Sequence, residues 1–124
     1  MDFTLSEEQQ GFVDSAQAFS NAVLAPNAAQ WDEESFFPKE VLKQAGDLGF
    51  MGMYTPESAG GLALPRLDAS LIVEELAKGC TTTAAYLTIH NMATSMVRIN
   101  LAIFFDLTLI EHVAESHQQK RYKS

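Results

Sequence analysis

With 124 residues, 47% of them hydrophobic, the chain is long enough for one domain with its own core, and its composition is not that of a disordered protein. Sixteen acidic against eight basic residues give a net charge of −8, which argues against a general nucleic-acid binder and against electrostatic attachment to anionic membranes. One cysteine, Cys80, leaves no intrachain disulfide and no cysteine zinc site.

The start, MDFTLSEEQQ, is acidic and has neither the basic and apolar regions of a secretory signal nor the arginines of a transit peptide. A first helix is expected from about Leu5. Thr4 with Glu7, or Ser6 with Gln9, supplies the spacing of a capping box. Phe12, Ala16, Phe19 and Val23 recur on one helical face, and Pro26 should bend, break or restart the helix. Ala28–Trp31 adds a short turn before an acidic run. Phe37-Pro38 marks the next start, with Pro38 suited to the first helical position. Val41, Leu42, Ala45 and Leu48 form its buried stripe, and Gly49 its stop. Phe50–Tyr54 is apolar but holds Gly52, which suits a short extended or irregular packed segment.

Thr55–Pro65 is the main loop. Its Gly60-Gly61 pair permits turns but lacks the lysine and spacing of a phosphate loop. A further helix runs from Arg66 toward Gly79 with Leu67, Leu71, Ile72 and Leu76 as its apolar stripe. Another starts near Thr82 or Thr83, capped by a hydroxyl, and reaches at least Met96. The tail from Arg98 differs in charge, with 3 acids and 4 bases against 13 and 4 before it. Ile99, Ile103, Leu107, Ile110 and Ala114 permit an amphipathic helix with a frayed end. The longest apolar window, 99–110, is too short and too polar to span a bilayer. The expectation is an all-α helical bundle over 1–97, followed by a divergent tail over 98–124.

Several segments in order, DFTLSEEQ, APNAAQWDE, FPKEVLKQAGDLGFMGMY, a Gly-Gly loop and RLDASLIVEELAKGCTTTAAYLTIHNMAT, make this chain resemble the N-terminal helical domain of the acyl-CoA dehydrogenases. The likeness is strongest to their branched short-chain, isobutyryl-CoA type and covers about Asp2 to Val97. The resemblance implies a tetrameric, FAD-dependent enzyme that removes hydrogens from the α and β carbons of an acyl-CoA and passes electrons to an electron-transfer flavoprotein. It further implies that Ala84, Ala85, Thr88 and Met92 border the acyl tail as one wall of the substrate site. Periodicity alone puts 84, 88 and 92 near one face, which is equally the pattern of a helix packed on a neighbour.

In that family the flavin-holding domain and the catalytic glutamate lie downstream of this segment. The chain by itself is therefore expected to be catalytically incompetent, to carry no catalytic residue and to bind no FAD tightly. The sequence after Val97 reads as a truncation, an altered reading frame or an inaccurate gene end. Two other readings compete: a small helical interaction or oligomerisation domain that self-associates through exposed domain-contact surfaces, and an acyl-CoA binding module. A bacterial, cytoplasmic setting is expected, with no nucleic acid, membrane or metal as partner.

The remaining chemistry-bearing residues read as structural. His90 lacks an adjacent nucleophile and acidic orienter. His112 and His117 with Glu111 and Glu115 do not make an HExxH pattern. Cys80 reads as a small buried residue, Glu75 as buried or paired, and Glu74 as solvent-facing. Trp31, Phe36 and Phe37 stand among acids rather than bases, which makes them a core or domain-contact cluster and a poor base-stacking platform.

Overall fold

A computed structural model describes residues 4–100 of the chain. The described residues hold helices and turns and no strand. Two compact units divide the chain, Met1–Met92 and Ala93–Ser124.

In the first unit, α1 spans Glu7–Phe19. Of the two capping registers the sequence offers, Ser6 with Gln9 is the one formed. The Ser6 hydroxyl accepts from the Gln9 backbone N–H at 3.2 Å, and the Ser6 N–H donates to Gln9 Oε1 at 3.0 Å. Two of the orphan donors of the first turn are thereby satisfied. α1 widens into a π-helical turn, Ser20–Leu24, before Pro26 ends the run. Asn27 Nδ2 closes that end by donating to the Val23 carbonyl at 2.8 Å. α2, Ala28–Glu33, is short.

α3 spans Lys39–Asp47, with Pro38 at its cap rather than its first helical position. Gly49 stops it as expected, in the left-handed region at φ +87°. Ala45 is fully buried and Val41 and Leu42 pack against the core, but Leu48 is exposed. The chain turns at Leu48, so the helical period no longer predicts which way it points. Phe50 and Met53 are buried within an irregular segment, as expected, and Phe19 meets Phe50 edge to face at 6.1 Å.

α4, Arg66–Gly79, crosses α1 and the π turn. Its packed face is Ala69, Ile72, Glu75 and Leu76, while Leu67 is 63% exposed. Ile72 and Leu76 of the expected stripe face the core, while at its N-terminal end Ala69 takes the place expected for Leu67. Gln9 Nε2 donates to Asp68 Oδ1 at 2.8 Å and pins the two helices at their N-terminal ends. At the other end, a Cβ on Gly79 would collide with Ser20 Oγ and stand 3.0 Å from Leu24 Cβ. Only glycine lets the end of α4 lie on the π turn.

Residues 81–100 are helical (α5), and the boundary between the two units falls within them. In the second unit, residues 93–100 expose Met96, Val97 and Ile99, and Asn100 Nδ2 donates to the Met96 carbonyl at 2.9 Å. The expected helix at 103–114, the frayed end, and His112 and His117 with their neighbouring glutamates lie outside the described residues.

Candidate functional site

The helix that carries the expected wall is set in place by its first residue and its third turn. α5 begins without the threonine hydroxyl cap the sequence suggests. Cys80 occupies the cap: its Sγ accepts from the Thr83 N–H at 3.4 Å and from the Thr83 hydroxyl at 3.2 Å. Cys80 and Thr83 are both buried, so the thiol acts as a small apolar residue that also satisfies a helix-start donor.

Three turns on, Asn91 is 1% exposed and its side chain bonds to backbone on both the 50–53 segment and α5. Its Oδ1 accepts from the Met53 N–H at 2.8 Å, and its Nδ2 donates to the Phe50 and Leu87 carbonyls, both at 2.8 Å. His90 Nδ1 stands 3.0 Å from the Met51 carbonyl, a bond that requires the hydrogen on Nδ1. Two consecutive side chains thus latch α5 to the 50–53 segment. The histidine ties α5 to the 50–53 segment through this bond. Asn91 was missed: a polar residue on a helix with mostly apolar neighbours carries no local sign that loop backbone will lie opposite it.

The packed face of α5 is Thr83, Ala84, Leu87 and Asn91. Of the four expected wall residues, Ala84 lies in this core at 3% exposure, Thr88 is half-buried, and Ala85 and Met92 are exposed. The four-residue spacing explains the divergence. At 100° per residue it advances by about 40° at each step, so the series 84, 88, 92 rotates from core to surface. Ala85, Thr88 and Met92 share the open side. The Thr88 hydroxyl donates back to the Ala85 carbonyl at 2.9 Å, which uses its polarity internally.

A second concavity lies beside the start of α5, with a volume of about 240 Å³. Trp31 and Asp32 from α2, Phe36, Phe37 and Pro38 from the connector, and Cys80, Thr83 and Tyr86 line it. Ser35, at φ +50°, turns the chain so that the Phe36 N–H donates back to the Trp31 carbonyl at 2.8 Å. Phe37 meets Tyr86 edge to face at 4.9 Å. The aromatic cluster anticipated from sequence is therefore real, but it forms a rim and not a sealed core. Phe36 and Phe37 remain 54% and 46% exposed.

The carboxylates of α4 divide as expected. Glu75 is buried and bonds Lys78 Nζ at 2.5 Å, while exposed Glu74 stands 3.4 Å from the same ammonium. The Glu75 hydrogen bond, reinforced by Glu74 and partly offset by desolvation, raises the Lys78 pKa above its ordinary value. Among the described residues there is no group of three or more His, Cys, Asp or Glu that could hold a metal ion. None of their helices is long and apolar enough to cross a membrane.

The family model described as Acyl-CoA dehydrogenase, N-terminal domain, matches residues 6–122. The chain belongs to the acyl-CoA dehydrogenase family. The match extends past Val97, where the likeness read from sequence ends. Isobutyryl-CoA dehydrogenase, mitochondrial, of Bos taurus is 45% identical over 93 residues, which are 75% of this chain and 22% of that protein. A chain of the electron transferring flavoprotein of Acidaminococcus fermentans, a structure bearing on flavin-based electron bifurcation, superposes with a TM-score of 0.66 at 37% identity over 70% of this chain and 23% of its own. The glutaryl-coenzyme A dehydrogenase glutaryl-CoA complex gives a TM-score of 0.59 at 40% identity, covering 64% of this chain and 21% of that one.

The chain spans about a fifth of the length of the curated relatives it matches. The mitochondrial relative gives no support to the expected bacterial origin. Family members are flavin-dependent dehydrogenases, and the described residues show no phosphate-binding loop. Their Gly60-Gly61 pair is folded on the chain's own backbone, because a Cβ on Gly61 would collide with the Thr55 carbonyl oxygen. Two of their cavities measure about 240 and 330 Å³, one below and one just inside the ~300–1,000 Å³ range of drug-sized ligand sites.

Proposed function

We infer that this chain serves as the N-terminal domain of an acyl-CoA dehydrogenase that acts on short branched acyl-CoA, and that its open α5 surface forms one wall of the acyl site. The observation that carries the reading is the division of α5. Cys80, Thr83, Ala84, Leu87 and Asn91 face the core, which leaves Ala85, Thr88 and Met92 on the open side. A methyl group and a thioether are apolar at that surface, and the Thr88 hydroxyl is already bonded within the helix. Such a wall accepts an alkyl chain and offers a thioester no acid or base. Ala84 backs it from the core side. The 45% identity to an isobutyryl-CoA dehydrogenase supports the branched substrate.

These residues bind and orient. Flavin would supply the redox chemistry in the complete enzyme, and an electron-transfer flavoprotein is the proposed acceptor. The described residues act on the acyl portion alone, so the isolated chain is proposed to be inactive. Purified chain with added FAD, short acyl-CoAs and an artificial electron acceptor should give no enoyl-CoA. Enzyme-dependent product would overturn that part of the reading.

The wall is tested by grafting the chain in place of the matching segment of the bovine enzyme. Ala85→Leu in the graft should raise KM for isobutyryl-CoA several-fold more than for propionyl-CoA. Equal changes across acyl sizes would remove Ala85 from the wall. Exposed Leu48, Leu67 and Ile89 favour a second reading, in which the isolated chain self-associates. Light scattering that shows a monomer over a wide concentration range would exclude it.

A further inference from the structure

We propose that the concavity beside the start of α5 is a binding site for an organic cation of the trimethylammonium class, held by aromatic faces and the Asp32 carboxylate. The site is separate from the acyl wall and does not depend on it: Tyr86 lies at its edge, whereas the wall is Ala85, Thr88 and Met92.

Four of the chain's aromatic side chains, Trp31, Phe36, Phe37 and Tyr86, line one cavity of about 240 Å³. The cavity falls short of the ~300 Å³ at which drug-sized ligand sites begin, which suits a headgroup. The negative face of each ring attracts a cation, and a trimethylammonium group sheds its water more easily than a metal ion or a primary ammonium. Asp32 lines the same cavity and makes no ion pair among the described residues. Glu33 and Glu34 adjoin it in sequence and are exposed, which adds to the local negative potential.

The arrangement is built by the backbone. The left-handed turn at Ser35 returns Phe36 to Trp31, and α5 brings Tyr86 against Phe37 from a distant part of the sequence. Phe36 and Phe37 stay about half exposed beside a carboxylate that has no ion pair among the described residues.

Trp31 is the sole tryptophan of the 124-residue chain and so reports directly on its own site. The full chain is titrated with choline chloride, with its neutral isostere 3,3-dimethyl-1-butanol, and with sodium chloride at matched ionic strength. Choline should change Trp31 emission saturably, and the isostere should bind at least about tenfold more weakly. Asp32→Asn and Phe37→Leu, with folding checked by circular dichroism, should each weaken choline binding by about threefold or more.

A peptide carrying Nε-trimethyllysine separates the two sources of such a cation. Binding at least tenfold tighter than choline assigns the site to a modified protein tail, and comparable binding assigns it to a small molecule. Equal responses to choline and the neutral isostere, or a choline response reproduced by sodium chloride, would overturn the proposal in the unaltered chain. Undiminished binding in both folded variants would overturn it as well.

Discussion

Asn91 offers the sharpest test of how α5 is held. In Asn91→Leu the side chain stays comparable in size, but the Met53 N–H and the Phe50 carbonyl lose their partners at a site that is 1% exposed. The Leu87 carbonyl keeps its place in the helical ladder and adds little to the loss. Leaving a buried donor or acceptor unsatisfied costs about 1–3 kcal/mol, so two such groups cost about 2–6 kcal/mol. That is a large share of the ~5–15 kcal/mol by which small domains are stable. Urea unfolding followed by circular dichroism should show the midpoint falling by about 1.3–4 M for a slope of about 1.5 kcal/mol/M.

Asn91→Asp sharpens the test. The introduced oxygen replaces Nδ2, which now donates to two carbonyls 2.8 Å away. An ionised carboxylate there is repelled, so its pKa in the folded state is raised above its unfolded value of about 3.9. The penalty should be full at neutral pH and should shrink as pH falls through the folded pKa, where the protonated acid can donate to one carbonyl. A loss below about 0.5 kcal/mol in Asn91→Leu, or a pH-independent Asn91→Asp, would refute the assignment of these bonds as the latch.

Gly79→Ala should destabilise by about 1–3 kcal/mol through the collision with Ser20 Oγ. Ser20→Ala should cost almost nothing, since that buried hydroxyl has no hydrogen-bond partner among the described residues, and should partly rescue Gly79→Ala; additive thermal midpoints in the double variant would contradict the contact. The raised pKa of Lys78 means that its contribution is complete below the ordinary value of 10.5 and is lost as pH rises through the higher folded value, so Lys78→Met should abolish an alkaline step in a profile of melting temperature against pH. Cys80→Ser should preserve stability because a hydroxyl can accept from the Thr83 N–H, whereas Cys80→Val should cost about 0.5–2 kcal/mol; equal urea midpoints for the two would rule out the thiol as a cap.

Local rules in the sequence determined where helices begin and end. The break at Pro26, the stop at Gly49 and the helix between Pro65 and Cys80 follow from bonds and dihedrals within a few residues, whereas two capping registers stood open and the structure chose Ser6 with Gln9. The order of family-like segments also determined the family. Tertiary packing alone decided which way each helix turned. Ala69 rather than Leu67 faces the core, on the side where α4 packs against α1. Ala84 went inward and Ala85 outward, although both are small and adjacent. The capping thiol, the Asn91 latch and the convergence of Trp31, Phe36 and Phe37 on Tyr86 join residues that are polar or aromatic in sequence but acquire their roles only from a partner. Periodicity records that a helix has a buried side. Which neighbour approaches it, and how closely, depends on the shapes of both surfaces at once, as at Gly79 against Ser20.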